Sequence, residues 1–207
     1  VTGGVLGVEA GAVGIRANGE GHLRLGAFGA GAGVLLAGPV RAQTGSITVL
    51  SDGDIEQSGG SVIATEGGSV DVESLGASIL MRDTARTSTS GGSIRYTAQI
   101  DVQLAQLDAA NGMVGVTART GAIVDGGDTH VDLIGAGARL EAGDRIGVLG
   151  AGGNGLETAV SRLTARAGAG GVHVNERDGV GLRSVGVTVR RVDEAGRLRV
   201  ITDAPRT

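Results

Sequence analysis

Asp128, His130 and Asp132 occupy alternate positions of the tract Gly127-Asp-Thr-His-Val-Asp-Leu133. On an extended strand all three would project from one face, where two carboxylates and an imidazole could gather a divalent cation. Three ligands with no second shell in view fall short of a built metal site. The expectation is therefore that Val131 and Leu133 point into a core and the three polar residues form the wet face of a strand. Aspartate and glycine also alternate at Asp52-Gly53-Asp54 and around Gly126-Gly127-Asp128. The calcium-binding nonapeptide would need glycine where Thr129 stands and aspartate where Val131 stands, and no loop has the acidic spacing of an EF-hand. Corner aspartates are read as turn formers. Gly150-Ala-Gly-Gly-Asn-Gly155 echoes a phosphate-cradling loop, but a chain without lysine has no P-loop lysine. No G-x-S-x-G elbow is present, and His22, His130 and His173 are dispersed, each expected to be an outward strand residue. No catalytic, cofactor-binding or metal-binding residue is assigned, and no cofactor is expected.

The elements that would carry such residues are short strands. Gly45-Ser-Ile-Thr-Val-Leu, Gly68-Ser-Val-Asp-Val-Glu, Gly92-Ser-Ile-Arg-Tyr-Thr and Gly112-Met-Val-Gly-Val-Thr are one strand written four times, and His22-Leu-Arg-Leu25 stands a similar distance before the first. Self-similarity at this period signals a solenoid in which each coil buries its apolar face on the next. Ile47/Val49, Val70/Val72, Ile94/Tyr96, Ile100/Val102/Leu104, Val114/Val116 and Val131/Leu133 are expected to point inward. Thr48, Asp71, Arg95, Gln103 and Asp132, lying between them, are expected to face water. Val172/Val174, Val180/Leu182, Val185/Val187/Val189 and Leu198/Val200 continue the period of two. Leu156 to Arg166 also fits helical spacing, but Thr158 alternates with Leu156 and Val160, so strand and corner are expected there. The fold class is all-β, a right-handed parallel β-helix (β-solenoid) of about 20–24 residues per coil. Roughly nine coils would make a rod about 43 Å long. A sandwich or barrel is the alternative. Residues 1–207 are read as a single β-solenoid segment of a much longer chain, with 1–42 as its loosest coils.

Composition agrees with a thin interior. Of 207 residues 41 are glycine, with one Phe, one Tyr and no Trp or Cys. The apolar content is Val, Leu, Ile and Ala, too much for a disordered linker, and glycine lacks the collagen period. The net charge of −4 and the lack of a basic stripe or stacking platform argue against nucleic acid. No run reaches the roughly 18 apolar residues of a membrane helix, so this segment is not expected to enter a bilayer. All eighteen basic residues are arginine, as a GC-rich bacterial coding bias would give.

Gly45-Ser-Ile-Thr-Val-x-Ser-x-Gly-Asp-Ile55 resembles the haemagglutinin-type repeats of filamentous haemagglutinin-like exoproteins and giant adhesins of Gram-negative bacteria. Leu156-Glu-Thr-Ala-Val160 and Gly170-Gly-Val-His-Val-Asn-Glu176 are similar to segments of very long repeat-built exoproteins. The resemblance implies a β-helix shaft, export to the cell surface or medium, and a part in attachment or biofilm contact; it supplies no catalytic residue. The Asn-Pro-Asn-Gly-Ile secretion motif and an Arg-Gly-Asp tripeptide are both missing from these residues. The expected function is a non-catalytic stalk or adhesin segment, secreted or outer-membrane associated. Its partners would be adjoining coils and, through other parts of the parent protein, a host-cell, bacterial or glycan receptor. A polysaccharide-binding or lyase-like β-helix is the alternative, disfavoured by a single Tyr and by corners expected to be short throughout.

Overall fold

A computed structural model describes residues 4–11, 13–126, 130–150 and 154–205. Branched aliphatics at alternate positions make each apolar tract a strand with one buried face, and the repeat stacks equivalent tracts in parallel register. Leu23, Ile47, Val70, Ile94, Val114, Ala138, Leu163 and Leu182 form one such column. Three parallel sheets of eight strands result, giving a β-solenoid with about 24 residues per turn. Each rung contributes a strand to sheet A, then B, then C. Rung 1 is Val5–Val8, Ile15–Ala17 and Leu23–Ala27; rung 2 is Gly33–Leu36, Val40–Ala42 and Ile47–Ser51; rung 3 is Ile55–Gln57, Val62–Thr65 and Val70–Ser74. Rung 4 is Ile79–Met81, Arg86–Thr89 and Ile94–Ala98; rung 5 is Val102–Leu104, Gln106–Asp108 and Met113–Ala118; rungs 6 and 7 follow in order, and rung 8 is Gly171–Val172, Val174–Glu176 and Gly181–Leu182. Leu156–Val160 and Arg162–Arg166 are both strands, as their alternation predicts.

The inward columns form one continuous core along the axis. Tyr96, the largest fully buried side chain, fills rung 4. Its hydroxyl lies 2.7 Å from Thr87 Oγ1 and donates to Gln57 Oε1 of rung 3 at 3.1 Å, while Gln57 Nε2 donates to the Arg86 carbonyl at 2.9 Å. Burial raises the Tyr96 phenol pKa far above its usual value, so it remains a neutral donor. Ile100, expected inside, is instead exposed at a corner.

The glycine opening each repeated tract has a steric cause. A Cβ on Gly92 would lie 1.8 Å from the Gly68 carbonyl oxygen, one on Gly68 2.1 Å from that of Gly45, and one on Gly112 2.2 Å from that of Gly92. At this corner the backbone of each rung rests directly on the glycine of the one before. Gly92→Ala is expected to destabilise by about 2–3 kcal/mol, because backbone on both sides must move. Urea unfolding of that variant beside Gly91→Ala, whose Cβ meets nothing within 4 Å but whose φ is +129°, separates packing from backbone strain.

The last two apolar runs depart from the sequence expectation. Val187–Val192 and Leu198–Asp203 pair antiparallel as a hairpin. Asp193 Oδ1 accepts from the Ala195 and Arg197 amides, and Gly196 takes a positive φ. This strap lies along the axis on the outer face of sheet C. Val187 meets Gly115 of rung 5, Ser69 Oγ of rung 3 accepts from the Arg190 amide, and Thr48 Oγ1 of rung 2 accepts from the Val192 amide. Eight rungs therefore form instead of nine, about 34 Å for seven intervals of strand spacing. Thr48, Asp71 and Arg95 point outward but are buried beneath the strap, and Gln103 is half-buried. A Cβ on Gly115 would meet Val187 at 3.2 Å. Gly115→Leu is expected to lift the strap while leaving the solenoid folded, seen as faster amide exchange at Val189 and Ile201 with unchanged protection at Val114 and Val116.

Candidate functional site

Two groups of charged residues are candidates, and neither is the trio Asp128, His130 and Asp132 weighed as a cation site from the sequence. Asp128 lies outside the described residues. His130 is exposed and lines a small cavity of about 210 Å³ with Arg86 and Gln106. Asp132 instead joins Asp125 and Glu157, each placing one carboxylate oxygen within 4.8 Å of the others.

This acidic corner arises where the solenoid departs from its short turns. Between Ile123–Asp125 and Leu133–Gly135 the chain takes residues 126–132, and between Arg145–Ile146 and Leu156–Val160 it takes 147–155. In rung 5 Ala105 alone makes the same corner. Corners are thus not short throughout. Asp125 ends a strand at the position where Leu104 points inward one rung earlier. Asp132 pairs beside Glu157, since Leu133 is in register with Thr158; its amide donates to the Glu157 carbonyl at 3.0 Å and its Oδ2 accepts from the Glu157 amide at 2.8 Å. Asp132 has no solvent-exposed surface, contrary to the wet face expected of it, whereas Asp125 and Glu157 are half-buried. Asn175 Nδ2 donates to Glu157 Oε1 at 3.2 Å. These carboxylates are the residues that could hold a hard cation; three side chains supply fewer oxygens than the six to eight that calcium takes. The other histidines serve the backbone: His22 Nδ1 accepts from the Ser46 amide at 3.1 Å, and His173 Nδ1 donates to the Val148 carbonyl at 2.5 Å.

The second group is the clamp under the strap. Arg95 Nη1 donates to Asp71 Oδ1 at 2.9 Å and to Glu73 Oε2 at 3.1 Å, and its Nε donates to Asp203 Oδ2 of the strap at 3.1 Å. Arg191, also from the strap, donates to both Asp71 and Glu73, and Arg119 Nη2 reaches Glu73 Oε1 at 2.8 Å. Each charge is hydrogen-bonded, as burial demands. Burial alone would raise the Glu73 pKa, but the Arg191 hydrogen bond and the field of Arg95 and Arg191 outweigh it and hold the carboxyl below its ordinary value of 4.5. Burial opposes the charge on Arg95 and Arg191 as well, and the facing carboxylates reverse that, leaving both raised. Because the Glu73 pKa is depressed on folding, its stabilisation is present above about pH 4.5 and is lost as pH falls through the lower folded value. Strap amides are therefore expected to lose exchange protection below that pH, and Glu73→Gln to flatten this dependence.

No known protein family, curated protein or solved structure matches this chain. The class defined by the fold is the parallel β-solenoid.

Proposed function

We propose that this chain is a non-catalytic shaft segment of a secreted or surface-anchored bacterial exoprotein, holding other parts of that protein at a fixed distance for adhesion or biofilm contact. The observation that carries the reading is the unbroken stack of eight rungs around a single aliphatic core. Such a stack resists bending because each rung is bonded along three sheets to the next. The last rung leaves Leu182 80 % exposed at a position that is buried in rungs 2 to 7, and among the described residues no strand pairs with its outer edge, as expected where further coils or a capping element join. A cysteine-free chain allows a direct test. Dyes attached at Glu20→Cys in rung 1 and Asp178→Cys in rung 8 are expected to give one narrow energy-transfer distribution, insensitive to salt. A broad or shifting distribution would refute a rigid spacer.

The polysaccharide-cleaving alternative has the acidic corner in its favour. Against it stands the complete burial of Asp132, which keeps that carboxylate from one side of a glycosidic bond in a polymer. Incubation with pectate, alginate and hyaluronate is expected to release no unsaturated or reducing ends.

A further inference from the structure

We propose that the outer face of sheet B near the first rungs is an oxyanion seat, taking a sulfate or phosphate group borne on a hydroxyl-rich chain. The register places Arg16 of rung 1 directly beside Arg41 of rung 2, about one strand spacing away. Both side chains are exposed, and neither makes an ion pair or side-chain hydrogen bond among the described residues. Like charges directly opposite on neighbouring strands repel, so this pair stands in want of an anion. Two guanidinium forks side by side match the acceptor edges of a tetrahedral oxyanion, where a point-charged ammonium would not.

The surroundings extend the site along the axis. Arg16 and Arg41 line one groove of about 530 Å³, together with Asn18, Ser88 and Ser90. In register with Arg41 come Ala64 and Ser88, so beyond the arginines the floor is made of small residues. The side chains of Asn18, Ser88 and Ser90 make no hydrogen bond within the described chain, leaving donors and acceptors for hydroxyls. Glu66 also lines the groove without pairing to either arginine, and its carboxylate can accept hydrogen bonds from hydroxyls while repelling a second anion close by. A ligand with its charged group over rungs 1 and 2, beside Asn18, and its hydroxyls over rungs 3 and 4, beside Glu66, Ser88 and Ser90, meets all of these groups. No aromatic lines the groove, so recognition rests on charge and hydrogen bonds.

The test is titration of the whole chain with a short dextran sulfate, with neutral dextran of equal length and with inorganic sulfate, following binding by calorimetry and by the arginine Nε–H signals. Dextran sulfate is expected to bind, to shift the Arg16 and Arg41 signals, and to raise the melting temperature. Arg16→Gln and Arg41→Gln should each weaken it about tenfold or more, while Arg197→Gln in the strap turn leaves it unchanged. Because both arginines are exposed, the double variant should melt no lower than the parent, keeping misfolding out of the comparison. Equal binding of dextran sulfate to parent and double variant overturns the seat. Inorganic sulfate binding as tightly with the same arginine dependence overturns the hydroxyl-bearing carrier. Neutral dextran binding as well as the sulfated chain overturns the requirement for an anion.

Discussion

Asp71→Val is expected to destabilise the chain by about 3–5 kcal/mol, the range for removing one partner of a buried ion pair. Valine is close to aspartate in size and suits a strand, so neither propensity nor volume supplies the loss. The loss comes from what stays behind. Arg95, whose side chain is only 6 % exposed, and Arg191 both donate to Asp71 in the native clamp; without it they would share Glu73, with Asp203 left as the one further carboxylate on Arg95. A double-mutant cycle of Asp71→Val with Arg191→Met isolates the pair, since methionine keeps much of the stem without the charge. The coupling should exceed about 1 kcal/mol if the clamp acts as a unit. A cost under about 0.5 kcal/mol for Asp71→Val, the value of an ordinary surface site, would mean that the strap does not cover this face in solution.

Val72→Asp, one residue further, is expected to cost more than about 4 kcal/mol, enough to abolish folding of a marginally stable domain. Val72 is buried on the inward side, in register between Val49 and Tyr96, with apolar neighbours above and below. A carboxylate there would face the Tyr96 ring with no cation in the hollow, and must either stay charged without solvation or take up a proton. The second route gives a signature: the variant should regain part of its structure as pH drops. Circular dichroism against urea at pH 7 and pH 4 reads both effects, and near-native stability at pH 7 would contradict the inward placement of this column.

The alternation of Ile47, Val49, Val70, Val72, Ile94 and Tyr96 carried the inner face and the parallel stacking, because those contacts lie one period away in the chain. What covers the outer face was not legible in the same way. Thr48, Asp71 and Arg95 read as solvent-facing because the neighbouring coils leave their outer side open; the cover over Asp71 and Thr48 comes from Arg191 and Val192, 120 and 144 residues on. Val187 and Val189 alternate just as a solenoid strand does. Only Asp193-Glu-Ala-Gly196 between two alternating runs marks a hairpin, a signal the repeat pattern masked. The acidic corner was half legible. Asp132 was singled out with neighbours in sequence, whereas its neighbours in space are Asp125, across a corner, and Glu157, one rung on; aligning Leu133 with Thr158 would have found the latter.

A stack of near-identical units ordinarily frays from its ends, each unit answering only to the one beside it. By gripping rungs 2, 3 and 5 at once, the lengthwise strap ties non-neighbours together. The molecule should therefore open as two blocks, with rungs 6 to 8 peeling first and the bound middle giving way in a single later step, so that its resistance to being pulled apart is set by the fastening rather than by the number of units.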